Sequence, residues 1–115
     1  MHEFSIVQNI VEIVLDTARK HNVKLISAVE VEVGQSSGVV KEAMEFAWEA
    51  AIDGTILSKA SLRIRQIPLR VNCGICRQEY LPEDIYDACP ACGETSPEII
   101  TGRELRVVAI ETASI

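Results

Sequence analysis

Cys73-Gly74-Ile75-Cys76-Arg77-Gln78-Glu79-Tyr80-Leu81-Pro82-Glu83-Asp84-Ile85-Tyr86-Asp87-Ala88-Cys89-Pro90-Ala91-Cys92 carries every cysteine of the chain. The pattern is two Cys-x-x-Cys knuckles separated by twelve residues. A two-residue spacer lets both sulfurs of a knuckle face one point, so two knuckles can converge tetrahedrally on a single metal ion. Pro90 fixes φ where the second knuckle starts. Gly93 supplies a residue tolerant of positive φ where it closes. Structural disulfides do not suit a cytosolic chain. A redox dithiol needs one Cys-x-x-Cys at a strand-to-helix turn rather than two in a loop-rich segment. Zinc is the favoured ion, although iron held as in rubredoxin uses the same four ligands. With four protein ligands a zinc ion has no open position for a catalytic water, so the reading is a structural staple.

Composition shifts around this stretch. Residues 72–102 hold one basic residue, Arg77, against six acidic ones, whereas the balance over residues 1–71 is −1 and over 103–115 zero. Binding to nucleic acid depends on neutralising phosphates with Lys and Arg, and the cysteine segment offers almost none. Its acidity, deepened by four thiolates around a divalent ion, points to a cationic protein surface as partner. A lobe this small, with few large apolar residues, needs a metal to fold.

The flanking sequence is periodic. Val7, Ile10, Val11, Val14 and Ala18 recur at helical spacing, predicting a helix over 5–21, with Ser5 and Gln8 as a capping box and Asn22 as a left-handed stop. Val29, Val31 and Val33 alternate with Glu30 and Glu32 in a strand running from Leu25 to Gly34 with one wet face. Val40, Ala43, Met44, Ala47, Trp48 and Ala51 form the apolar stripe of a second helix that Gly54 ends. A strand follows from Leu62 and Ile64 towards Pro68 and Val71, with Arg63, Arg65 and Arg70 as a basic strip on a solvated face. A last strand spans Leu105 to Ile110, where Val107, Val108 and Ala109 predict burial on both faces. The expected fold class is therefore α+β. A two-layer α/β domain, with a three-stranded mixed sheet and two helices, comprises residues 1–71 plus 103–115. A zinc-ribbon-like four-cysteine lobe is inserted at 72–102.

No apolar run approaches the length needed to span a bilayer. Met1-His2-Glu3 lacks the basic start and apolar stretch of a signal peptide, so the expected location is the cytoplasm. No GxxxxGK[ST], GxSxG or HExxH motif occurs, and the two histidines, His2 and His21, offer no acid–base framework, so no enzymatic activity is expected. Two further readings compete. A zinc-ribbon adaptor would bind nucleic acid or protein through a basic face. A rubredoxin-like electron carrier would leave residues 1–71 without a role.

His2 has a chemistry of its own. A histidine directly after the terminal residue presents the terminal amine, its own amide once deprotonated, and its imidazole in adjoining chelate rings. Such planar nitrogen donation suits Ni(II) or Cu(II). Met1 is expected to be retained because His2 is large.

The opening Met1-His2-Glu3-Phe4-Ser5-Ile6 on an amphipathic helix, the Val/Glu strand ending in Gly34, and Cys73, Cys76, Cys89 and Cys92 together make the whole chain resemble the HypA/HybF family of nickel chaperones. The resemblance implies nickel at the N-terminus, held by His2 with the Met1 amine and Glu3 or its amide. It implies structural zinc among the four cysteines. It also implies work in the cytoplasmic assembly of the [NiFe] hydrogenase centre, with a nickel-binding GTPase and the hydrogenase large subunit precursor as partners and, in some members, urease maturation. Some members carry a carboxylate at the start of the second helix. Here that stretch reads Gly38-Val39-Val40-Lys41-Glu42, with Val40 at the matching position and Glu42 the nearest acid.

Overall fold

The computed structural model describes residues 3–113. The elements run α1 (Glu3–Lys20), β1 (Ile26–Gly34), α2 (Lys41–Ile52), β2 (Ser61–Ile67), β3 (Arg70–Cys73), β4 (Glu79–Tyr80), β5 (Pro97–Thr101) and β6 (Leu105–Thr112). They form two three-stranded sheets, ordered β2-β1-β6 and β4-β3-β5.

The first compact unit comprises residues 3–32, Val39–Arg65 and 106–113. In α1 the buried residues are Val7, Ile10, Val11, Val14 and Ala18, the stripe its periodicity predicts. The helix stops as expected. Asn22 takes φ 55°, and the Val23 amide donates to the Ala18 carbonyl at 2.9 Å, a six-residue closure that satisfies a carbonyl of the last turn. Its start differs from expectation. The backbone is already helical at Glu3, so Ser5 lies inside α1 and does not cap it. In α2, Met44, Ala47, Trp48 and Ile52 are buried, and the Trp48 indole donates to the Ala60 carbonyl at 3.1 Å. The two helices pack on one another.

Side-chain partners fix the strand directions. Glu32, late in β1, pairs with Arg65, late in β2, so these strands run parallel. Ser27, early in β1, donates to the carbonyl of Glu111, late in β6, so that pair is antiparallel and the sheet is mixed. Glu32 is not on a wet face: it is only 8% exposed, held by Arg106 at 2.7 Å and Arg65 at 3.5 Å. The burial expected for β6 is also corrected. As an edge strand, it leaves Val108 42% exposed and Ala109 in solvent.

The second unit takes in Val33–Gly38 and Gln66–Leu105. It is wider than residues 72–102 because the strand expected to continue from Leu62 to Val71 is broken. Pro68 has no amide to give to a ladder, β2 ends at Ile67, and β3 begins a new sheet at Arg70. β3 pairs antiparallel with β4 (Val71↔Tyr80) and with β5 (Val71↔Ile99), so the lobe is more regular than its composition predicts.

The Gly34–Gly38 turn is tied into this unit by its backbone. The Gln35 amide donates to Ile67 at 2.8 Å, the Ser36 amide to Gly102 at 2.7 Å, and the Leu69 amide to the Gln35 side chain at 2.8 Å. Gly102 has φ 119°, and a Cβ there would stand 2.7 Å from the Leu69 Cα. Gly38 also has positive φ, 81°, but open space around it. Gly102→Ala should therefore lower stability by about 2–4 kcal/mol, from backbone strain plus collision. Gly38→Ala should cost only the backbone strain, about 1 kcal/mol. The midpoints of urea unfolding check this ranking, and equal midpoints would refute it.

Candidate metal centre

The two cysteine knuckles are built alike. In each, the residue after the second cysteine adopts positive φ, 68° at Arg77 and 76° at Gly93. Its amide donates to the carbonyl of the first cysteine, at 3.0 Å from Arg77 to Cys73 and 2.8 Å from Gly93 to Cys89. The first cysteine's own amide is taken by the carbonyl five residues on, Cys73 by Gln78 at 2.9 Å and Cys89 by Glu94 at 2.8 Å. The glycine at 93 marks this geometry in the sequence. At 77 an arginine occupies the same left-handed position, which sequence reasoning missed because Arg carries no signal for it.

These turns bring the four ligand sulfurs within 4.8 Å of one another. Cys73 and Cys92 sulfurs lie 3.7 Å apart, and those of Cys76 and Cys89 lie 3.6 Å apart. A tetrahedron with metal–sulfur bonds of about 2.3 Å has edges of about 3.8 Å. The quartet therefore fits a four-coordinate ion, and all its members are free thiols. Cys73 and Cys89 are buried while Cys76 and Cys92 are exposed, so the first cysteine of each knuckle anchors it in the lobe.

Electrostatics agree with an ion-binding role. The amides of Cys76 and Ile75 donate towards Cys73 and lower its thiol to about 7, against burial. At Cys89 burial opposes ionisation, but the amides of Cys92 and Ala91 outweigh it and the thiol is lowered. The amide of Glu94 favours ionised Cys92, yet burial and the three neighbouring sulfurs push that thiol up to about 12. Cys76 is likewise raised: the Gln78 amide lowers it, but burial and the Cys89 and Cys73 sulfurs prevail. Four sulfurs this close cannot all be anionic without a cation between them.

Among the described residues this quartet is the one group of three or more His, Cys, Asp or Glu side chains placed to hold a metal. Of the residues expected to bind nickel, Met1 and His2 lie outside the described residues. Glu3 is the first residue of α1, and its carboxylate accepts a hydrogen bond from the Val40 amide at 3.2 Å. Nothing in the sequence signalled this link between α1 and the start of α2. Glu42 is exposed in the first turn of α2. His21 is exposed in the turn that ends α1. The basic strip is charge-balanced. Arg63 pairs with Glu111 at 2.6 Å, Arg65 with Glu32 at 3.5 Å and Arg70 with Glu79 at 3.9 Å. Guanidiniums already engaged by carboxylates make a poor phosphate-binding face.

A helix pair with a mixed sheet, carrying a ribbon of four convergent thiols, defines a small metal-handling protein. The family profile described as "Hydrogenase/urease nickel incorporation, metallochaperone, hypA" matches residues 1–112. "Hydrogenase maturation factor HypA" of Geobacter sulfurreducens is 43% identical over 111 residues, covering 96% of this chain and 98% of that protein. Its namesake from Chloroflexus aggregans is 42% identical over 113 residues, covering 97% and 99%. The solution structure of the Ni metallochaperone HypA from Helicobacter pylori aligns over 100% of both chains with a TM-score of 0.68 at 25% identity. The chain belongs to the HypA family of nickel metallochaperones.

Metal binding at the quartet should be coupled to proton release. Cys92, raised to about 12, is protonated at neutral pH and must lose its proton to become a ligand. Acid therefore competes with the metal, and affinity falls as pH falls. Zinc added to the metal-free protein in weak buffer should acidify the solution, and zinc should transfer to a chromogenic chelator more readily with each step down from about pH 8 to about pH 5. Retention that does not change with pH would contradict thiolate ligation.

Proposed function

We propose that this chain carries Ni(II) on its N-terminus and delivers it during maturation of [NiFe] hydrogenase. The donors are the Met1 amine, the His2 amide and imidazole, and Glu3. Zn(II) held by Cys73, Cys76, Cys89 and Cys92 acts as a staple. The nickel-binding domain is residues 1–71 plus 103–115, and the zinc-binding domain is residues 72–102. The protein is non-catalytic and works in the cytoplasm. Its partners are the nickel-binding GTPase of the pathway and the hydrogenase large subunit precursor, with urease maturation factors as further recipients. Among the described residues no helix is long and apolar enough to cross a membrane.

The observation that carries this reading is the sulfur geometry. Four sulfurs at tetrahedral spacing saturate one ion and leave no position for exchange. A cargo ion needs another site, and the only histidines in the sequence are His2 and His21. His21 stands in an exposed turn and, among the described residues, belongs to no group of three or more potential metal ligands. His2, next to the Met1 amine of the proposed donor set, offers the nitrogen-rich donation that suits Ni(II). Ligands on the first residues of a chain can release an ion without unfolding a core.

Bound zinc would neutralise and cross-link the four thiolates. The chain's part is to hold those sulfurs in register through the paired knuckle turns. Untagged protein should take up one nickel in addition to one zinc. His2→Ala, or two residues added ahead of Met1, should weaken nickel binding at least tenfold in calorimetric titration and leave the zinc content intact. Unchanged nickel affinity in both variants would refute the site.

A further inference from the structure

A groove of about 370 Å³ lies between the start of α1 and α2. Glu3 and Phe4 line it from α1, and Ala43, Phe46, Ala47 and Ala50 from α2. The three alanines stand at i, i+4 and i+7, so they form a floor about 10 Å long with only methyl groups on it. Beside that floor are two rings, Phe4 48% exposed and Phe46 78% exposed. A phenylalanine left in water forgoes the burial that it ordinarily contributes to a fold. Two of them lining one apolar groove make a contiguous patch, which marks a binding surface rather than scattered exposure. The same helix is acidic on its outer side. Glu42, Glu45 and Glu49 are exposed at i, i+3 and i+7, with Phe46 among them. Among the described residues none of the three enters an ion pair. Lys59, which lines a neighbouring pocket with Glu45 and Glu49, bonds to neither. The last turn of α2 holds no basic residue, and a carboxylate there, Glu49, opposes the helix dipole. These charges serve α2 poorly and suit an incoming cation.

We propose that this groove docks a cationic amphipathic helix of another protein. Leucine- or methionine-sized side chains, recurring at helical spacing on that partner, enter between Phe4 and Phe46 over the alanine floor. Lysines or arginines flanking them meet Glu42, Glu45 and Glu49. The charges select this occupant. A second copy of the chain sets like carboxylates against one another, and nucleic acid or an anionic bilayer is repelled by them. Docking here does not depend on where nickel binds.

The probe is a fluorescent leucine–lysine peptide of about eighteen residues, with its leucines in one helical stripe, titrated into the zinc-loaded full-length chain. One control peptide has the same composition with the stripe scrambled, and a second carries glutamate in place of lysine. The striped peptide should bind saturably and move the amide resonances of Phe4, Ala43, Phe46 and Ala50. Both controls should bind at least about tenfold more weakly. Phe46→Ala should weaken the striped peptide at least about tenfold, while its zinc content and urea midpoint stay at wild type because the ring is mostly in solvent. Combined Glu42→Gln, Glu45→Gln and Glu49→Gln should weaken binding at low salt and flatten its salt dependence. No binding of the striped peptide, wild-type affinity in Phe46→Ala, or resonance shifts confined to residues 72–102 would overturn the proposal. A dimer in sedimentation that Phe46→Glu dissolves would give the groove to a second copy. Retention on phosphatidylglycerol vesicles that Phe46→Ala abolishes would give it to a membrane. Either result overturns the proposal as well.

Discussion

Four sulfurs within 4.8 Å of one another are an arrangement that a chain cannot hold stably on its own. Ionised, they repel; protonated, they bring little apolar area to a unit whose fully buried side chains are chiefly Leu69, Val71, Cys73 and Cys89. A divalent cation resolves both difficulties by cancelling charge and cross-linking two turns distant in sequence. The paired knuckles, with their repeated amide-to-carbonyl closures and left-handed residues at 77 and 93, exist to present that quartet. The small sheet of β3, β4 and β5 then has two fixed ends to grow from.

This constraint divides the labour of the molecule. An ion gripped by four thiolates has no free coordination position and leaves slowly, which suits a staple and disqualifies it as exchangeable cargo. A metallochaperone needs the opposite: nitrogen donors that assemble and part at low cost. The two demands require different ligands in different places. In the proposed division, sulfur within a folded lobe holds one ion and His2 serves the other. The strongly acidic cysteine lobe, carrying Arg77 as its one basic residue, suits contact with a cationic protein surface more than with nucleic acid.

Much of this was readable from residues alone because the signals were periodic or stoichiometric. The α1 stripe and the valines of β1 repeat at spacings that only one secondary structure accommodates, and their burial followed, whereas of the α2 stripe Met44, Ala47 and Trp48 are buried and Val40 is exposed. The Cys-x-x-Cys pairs announce their chemistry by count. What escaped was set by neighbours distant in sequence. Val107 to Ala109 read as buried, but nothing local tells a strand that it will lie at a sheet edge. Glu32 read as wet, though two arginines from other strands enclose it. Pro68 was visible as a breaker, but not that a second sheet begins beyond it. The Glu3–Val40 bond crosses between helices, and Arg77 holds a left-handed position that its side chain does not favour.

Two metals in chemically distinct sites, sulfur for one and nitrogen with oxygen for the other, are what this division of labour requires. X-ray absorption at the zinc and nickel edges of the doubly loaded, untagged protein addresses it directly. The zinc shell should be sulfur alone at about 2.3 Å, and the nickel shell should hold no sulfur. Sulfur scattering at the nickel edge, with zinc displaced from the quartet, would contradict it.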